Sequence, residues 1–353
     1  MRMRLSRRRF LKGLLGSSAA LACAGCRGVR PGADAATRAQ GEKSPEPVVI
    51  DTHTHFYDPT RPQGVPWPPP QDKLLYRTVL PKHYLALPTP RRVTATVVVE
   101  ASPWVEDNQW VLDLAATEPF IVGLVGNLPV GTKQFAGHLK RFAAHPLFRG
   151  LRLREVNLRT ALDDPAFLAD LELVSDFDLA LDLVGGQEIL EAADRLARLL
   201  PQQRLVLDHL AGVRVNGQPP PPVWVQALRR AAAHPRVFAK VSGLVEGTGC
   251  ADGSAPSAVE FYRPVLDVIW EVMGPDRLLY GSNWPVSERF APLATVQRIV
   301  HEYFSAKGPA AWAKVFAGNA MAVYRCAPRL SAQEAAPSAT SAQQAPATKC
   351  ATG

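Results

Sequence analysis

Eight short apolar, β-rich runs recur along this chain, each separated from the next by a stretch of helical spacing. That alternation limits the fold more than any other feature. The runs are "VVID" from Val48, "TATVVVEAS" from Thr94, "FIVGLVGNL" from Phe120, "RGLRLR" from Arg149, "LALDLVG" from Leu179, "RLVLDHL" from Arg204, "VFAKVSG" from Val237 and "RLLYGSNWP" from Arg277. Between them, Ile189, Ala193, Leu196 and Leu200 recur at three- and four-residue intervals, as do Phe135, Leu139 and Phe142, each set forming one apolar helix face. Further helices are expected at 108–117, 165–177, 222–234, 258–273 and 293–304, with an added one at 309–325. Strands alternating with helices imply a parallel sheet, because each crossover returns to the same side. Eight such units in about 280 residues match a closed (β/α)8 TIM barrel better than an open doubly wound sheet. No G-x-G-x-x-G follows an early strand, so a dinucleotide fold has no support.

The two ends of the 353-residue chain have a different character. Net charge is +8, and six of those charges (Arg2, Arg4, Arg7, Arg8, Arg9 and Lys12) fall within residues 1–26, which hold no acid. The remainder is close to neutral, with no basic footprint for nucleic acid. "SRRRFLKGLLGSSAALACAGC" has a cationic start, an apolar stretch too short to span a bilayer and small residues at its end. It resembles a twin-arginine signal, which implies export through the Tat machinery to the periplasm. The bland reading is a basic amphipathic helix. Cleavage after Ala24 would release a soluble protein, whereas a lipid on Cys26 would provide the membrane contact. Residues 27–46 read as a polar linker, 47–326 as the barrel and 327–353 as a disordered tail. Beyond the signal only Cys250, Cys326 and Cys350 remain, without C-x-x-C, so no zinc ribbon or redox motif is present.

A barrel of this kind places its chemistry at the C-terminal ends of the strands. Asp51, His53, His55, Glu100, Asn127, Arg152, Asp182, His209, Lys240 and Asn283 all fall there. His53 and His55, two apart, point to one side of a strand and suit a divalent metal, with Asp51 expected on the same face. By the same alternation only one of Asp208 and His209 faces the mouth, and His209 is the choice. Arg152 and Lys240 suit an oxyanion or a substrate carboxylate. Asp182, Glu100 and His209 are the candidate general bases, with Asp182 equally suited to pair with Lys240. The proline-rich loop from Phe56 to Leu80, with Arg61 and Trp67, is expected to shape a rim. Trp104 and Trp284 would add aromatic walls, or serve as ordinary packing.

"IDTHTHFYDP", "RGLRL", "LVLDHLAG", "KVSGL" and "YGSNWPV", in that order over residues 48–325, together resemble the amidohydrolase superfamily. Within it they are similar to the amidohydrolase-2-related branch of sugar lactonases and 2-pyrone-4,6-dicarboxylate lactonase. The superfamily pattern implies H-x-H on strand one, a carboxylated Lys or a Glu on strand four, His on strands five and six and Asp on strand eight. Here strand four offers Arg152 and Arg154, strand five Asp182, and strand eight Asn283, which cannot deprotonate water. A two-metal site lacks its bridging carboxylate. What remains is one zinc or manganese ion on His53, His55 and His209, with Glu100 as a further ligand, or the metal-free use of the histidines that the lactonase branch implies. The reading is an exported hydrolase that opens a lactone or similar cyclic ester, a small-molecule substrate. A metal-dependent decarboxylase and a non-catalytic binding protein on a decayed barrel are the alternatives.

Overall fold

The computed structural model describes residues 47–329, apart from 155–157 and 159. The segment read as an export signal, the expected linker at 27–46 and all but three residues of the expected tail lie outside the described residues. Eight parallel strands form one sheet in chain order: β1 (Ile50–Thr54), β2 (Ala95–Val99), β3 (Ile121–Gly126), β4 (Phe148–Arg154), β5 (Ala180–Val184), β6 (Leu205–Leu207), β7 (Val237–Val241) and β8 (Leu278–Tyr280). The ring closes just beyond β8. Thr54 bridges Trp284 in the parallel sense, the Asn283 N–H donates to the His53 carbonyl at 2.8 Å, and the His55 N–H donates to the Trp284 carbonyl at 2.9 Å. The (β/α)8 barrel expected from the alternation is the fold.

Strands buried on both faces explain the near-continuous apolar runs. Ile50, Ala95, Val97, Val122, Ala180, Val206 and Leu279 form a core separate from the one between sheet and helices. The helix Asn319–Tyr324 packs into that inner core through Ala320, Val323 and Tyr324. Outside, the helix Glu188–Leu199 buries Ile189, Ala193 and Leu196 as its spacing foretells. Each large apolar side chain so removed from water contributes about 1.5–3 kcal/mol. The helix Pro165–Asp176 begins with Pro165 at its first turn, and the Asp164 carboxylate accepts the Ala166 N–H at 2.8 Å. Such a cap stabilises a helix by about 1 kcal/mol.

Two local departures from strand regularity shape the site. In β1 the register with β2 slips between Asp51 and Thr54, and a bulge of this kind re-aims side chains. Asp51 consequently does not face the imidazoles. Its carboxylate accepts the backbone N–H groups of His53 and Ser282 at 3.0 and 2.9 Å and the Tyr84 hydroxyl at 2.7 Å, fastening β1 to the turn after β8. The second departure follows β6, where His209, Leu210 and Ala211 take left-handed φ of 51°, 51° and 52°. Non-glycine residues held there cost about 1–3 kcal/mol each and tend to cluster at functional sites.

The proline-rich segment after β1 is anchored at both ends. Tyr57 and Val79 exchange backbone hydrogen bonds at 2.9 and 2.8 Å, Arg289 pairs with Asp72 at 2.5 Å, and Arg77 pairs with Glu288. The segment is thereby tied to the turn after β8.

Candidate active site

A cavity of about 250 Å³ opens at the C-terminal ends of the strands, with His55, Trp67, Arg152, Arg154, His209 and Asn283 in its wall. Arg152 and Arg154 are two apart on β4 and so face the same way. Arg152 Nη2 donates to the Glu100 carbonyl at 2.5 Å, and neither arginine forms an ion pair among the described residues. Glu100, just past β2, lies in an adjoining cleft that shares Trp67. One of its carboxylate oxygens accepts the Ser102 N–H at 2.6 Å, and burial pushes its pKa up to about 7.

His55 Nδ1 lies 2.7 Å from the Val99 carbonyl, which can only accept, so the proton sits on Nδ1. Its Nε2 is 3.2 Å from Asn283 Oδ1. Burial and then the Arg152 charge lower the His55 pKa to about 3, which leaves the ring neutral. His209 Nδ1 meets the Ser242 hydroxyl at 2.9 Å. Burial takes His209 to about 4, with Asp208 opposing and Lys240 and Arg152 adding to the fall.

Beneath this mouth lies a buried charge cluster. Lys240 Nζ is 2.5 Å from Asp182 Oδ2, 3.0 Å from Asp208 Oδ1 and 3.2 Å from His53 Nδ1, and all four side chains are fully buried. The Tyr324 hydroxyl meets the Asp182 oxygens at 2.9 and 3.0 Å. Burial raises Asp182 to about 7 against the pull of Lys240. In Asp208 burial pushes the same way, but Lys240 and His53 win and hold it below the usual carboxylate range.

The expected site residues therefore separate into layers. His55, Arg152, His209, Asn283 and Trp67 meet at the cavity, and Glu100 adjoins it. Lys240 and Asp182, expected at the mouth, are instead partners one layer down, because each points inward before its strand ends, where no water reaches. Arg61 is engaged at the rim, with Nη1 3.0 Å from Asp107 and its guanidinium over Trp110. Trp104 is 41% exposed and outside the cavity wall. Trp284 is buried against Phe56 and Tyr84, and its indole N–H donates to Glu288 at 2.6 Å. Neither tryptophan forms an aromatic wall.

Asp208, set aside on strand alternation, belongs to the cluster after all. The strand ends at Leu207, and the left-handed turn brings both Asp208 and His209 inward. Glu246 was not anticipated because it lies beyond the end of β7, on a short turn at Glu246–Thr248. It accepts the Asn283 Nδ2 hydrogen bond at 2.9 Å, burial lifts it to about 7, and its second oxygen has no partner among the described residues. Its only sequence signal was the bracket of Gly243 and Gly247.

His53, Asp208 and His209 offer ligand atoms within 4.8 Å of one another. Among the described residues His53 Nε2 and both Asp208 carboxylate oxygens are buried without hydrogen-bond partners, a donor set that fits one divalent cation once the His53 proton sits on Nδ1. His55 and Glu100 stand outside that set.

Gly243 shows how tightly the His209 turn is held. A Cβ there would lie 2.6 Å from His209 Cβ, and its φ is +71°. Gly243→Ala is expected to cost about 1–3 kcal/mol, read as a lower urea midpoint. A midpoint equal to that of the parent would show that the turn yields freely.

An eight-stranded βα barrel with imidazoles, guanidiniums and a near-neutral carboxyl at its C-terminal rim has the architecture of a barrel hydrolase. The family profile described as Amidohydrolase matches residues 50–326, and the chain belongs to that family. It is 31% identical over 286 residues to L-fucono-1,5-lactonase of Burkholderia ambifaria, spanning 78% of this chain and 95% of that protein. It is 27% identical over 269 residues to L-fucono-1,5-lactonase of Burkholderia multivorans, spanning 74% and 90%. A crystal structure of an amidohydrolase from Burkholderia multivorans with bound zinc superimposes with a TM-score of 0.69 at 25% identity, covering 79% of this chain and all of that one. The chain is accordingly a hydrolase.

Proposed function

We propose that this enzyme hydrolyses a sugar lactone or similar cyclic ester. The observation that carries the reading is Glu100, a carboxyl held near neutrality in a narrow cleft that adjoins the cavity, with its backbone carbonyl bonded by the Arg152 guanidinium. A general base works best with a pKa near the working pH. Asp182 is sealed beneath Lys240, and His209 is too weakly basic at about 4. Glu100 takes a proton from water as the water oxygen bonds to the lactone carbonyl carbon. Arg152 and Arg154 donate hydrogen bonds to the oxyanion that forms. The ring C–O bond then breaks, and the proton returns from Glu100 to the ring oxygen to leave an open hydroxy acid. Trp67, edge-on to His55 at 5.7 Å, supplies an apolar face for the ring.

A divalent ion on His53, Asp208 and His209 would supply Lewis-acid polarisation of the carbonyl. Glu100, which in a one-metal site would favour the decarboxylase alternative, is not a member of that ligand set. The similarity to the two L-fucono-1,5-lactonases supports a lactone as substrate. We also read residues 1–26 as an export signal, which places the reaction outside the cytoplasm.

The test is acid release from a panel of aldonolactones, L-fucono-1,5-lactone included, followed at constant pH before and after chelation. Turnover of at least one member above its spontaneous opening is expected. Failure on every member, with and without added zinc or manganese, would sink the proposal.

A further inference from the structure

The partners of His53 and His55 assign each ring a different tautomer. Lys240 Nζ donates to Asp182 Oδ2 at 2.5 Å and to His53 Nδ1 at 3.2 Å, and its charge lies 3.0 Å from Asp208 Oδ1. An ammonium donates and never accepts. His53 Nδ1 must therefore present its lone pair, since an N–H there would face another N–H. Asp208 Oδ1, the other acceptor beside Nδ1 among the described residues, is at 3.5 Å too long for a sound hydrogen bond. The proton of His53 is left on Nε2, an atom that is buried and has no partner among the described residues. In His55 the Val99 carbonyl at 2.7 Å requires the reverse, a proton on Nδ1, and the Nε2 of the neutral ring then faces the Asn283 side-chain oxygen at 3.2 Å without a proton between them. The two rings of one H-x-H pair thus carry their protons on opposite nitrogens.

We propose that Lys240 is a positioning residue that fixes His53 with its proton on Nε2, so that the ring serves as a donor to an oxygen and resists capturing a metal. A metal takes an imidazole through a lone pair, and a hydrogen bond at the far nitrogen decides which nitrogen offers it. For an ion to bind at Nε2 the proton must pass to Nδ1, and Lys240 must give up its contact there. The ligand atoms of His53, Asp208 and His209 are therefore gathered within 4.8 Å of one another and opposed by the lysine behind them. This inference rests on the cluster alone and holds whichever substrate the cavity takes.

The full chain, labelled with nitrogen-15 at histidine and freed of metal, gives the direct test. Long-range proton–nitrogen spectra report the tautomer of each ring, and the His53 signals are those lost in His53→Gln. His53 is expected in the Nε2–H form and His55 in the Nδ1–H form. A His53 proton on Nδ1 would overturn the proposal without recourse to any variant of Lys240. The second measurement is zinc affinity, by competition with a chromophoric chelator, in the double variant Lys240→Met with Asp182→Asn. That pair removes one charge of each sign, so net charge stays constant. Zinc should bind at least about tenfold more tightly than in the parent, within the range of outer-shell effects. Equal or weaker binding in a variant with the parent's circular dichroism would overturn it. Neither readout depends on lactone turnover, so the proposal and the assigned reaction fail or survive separately.

Discussion

Glu100→Gln is expected to lower kcat by about 10²–10⁴-fold, the range that positioned proton transfer contributes. The substitution keeps the shape of the side chain and an oxygen for the Ser102 N–H, and removes only the basic carboxylate. It should also change the form of the pH profile. A base works in its ionised form, and burial holds Glu100 at about 7. Activity of the parent should rise through pH 7 and level off above it, and the Gln variant should lack that limb. Stability runs the other way. A carboxyl whose pKa rises on folding favours the fold most below its unfolded pKa, and that contribution is lost as pH climbs through about 7. The variant should therefore melt no lower than the parent at pH 8, which separates lost chemistry from misfolding. A kcat within threefold of the parent would remove Glu100 as the base.

Lys240→Met should be the most destabilising single change in the barrel, at about 3–5 kcal/mol. The ammonium is fully buried and is the cation that Asp182 and Asp208 share. Removing it leaves two carboxylates together in a medium that solvates neither. Protonation of Asp182, already raised to about 7, relieves part of the cost, so the lower end of the range applies at acidic pH. Adding Asp182→Asn should recover part of the loss, because a pair removed together costs less than one partner removed alone. Urea unfolding of the two variants provides the measurement. A loss below about 1 kcal/mol in Lys240→Met would show that the two carboxylates do not need their cation.

The order of the elements was legible because a buried parallel strand has to be apolar on both faces, and each run announced itself. The site was legible as far as strand alternation held. His53 and His55 were found by their two-residue spacing, and Arg152 by its place at the C-terminal end of the fourth strand. Alternation failed at Asp51, where a bulge intervenes, and at Asp208, where the backbone turns left-handed straight after β6. Both failures have one cause: a single-residue change of backbone conformation reverses which face a side chain meets. Depth was the other blind spot. Lys240 and Asp182 carry the charges expected of mouth residues, but only the three-dimensional register shows them a layer below it. Nor could spacing pair Tyr324 with Asp182, 142 residues apart.

The members of the buried cluster are unevenly distributed around the ring. Asp182, Asp208, Lys240 and Tyr324 come from β5 onward and His53 alone of the cluster from β1, whereas His55, Glu100 and Arg152 come from the first four strands and their ends. The later half of the chain is the foundation, and the earlier half carries most of the reactive face. Evolution can therefore work on the two halves at different rates. Residues in the loops after β1 to β4 can be exchanged one at a time for a new substrate, each at the cost of local packing. From Ala180 to Tyr324 a change to any one charged member calls for a matching change in another, so this half should drift slowly and in pairs.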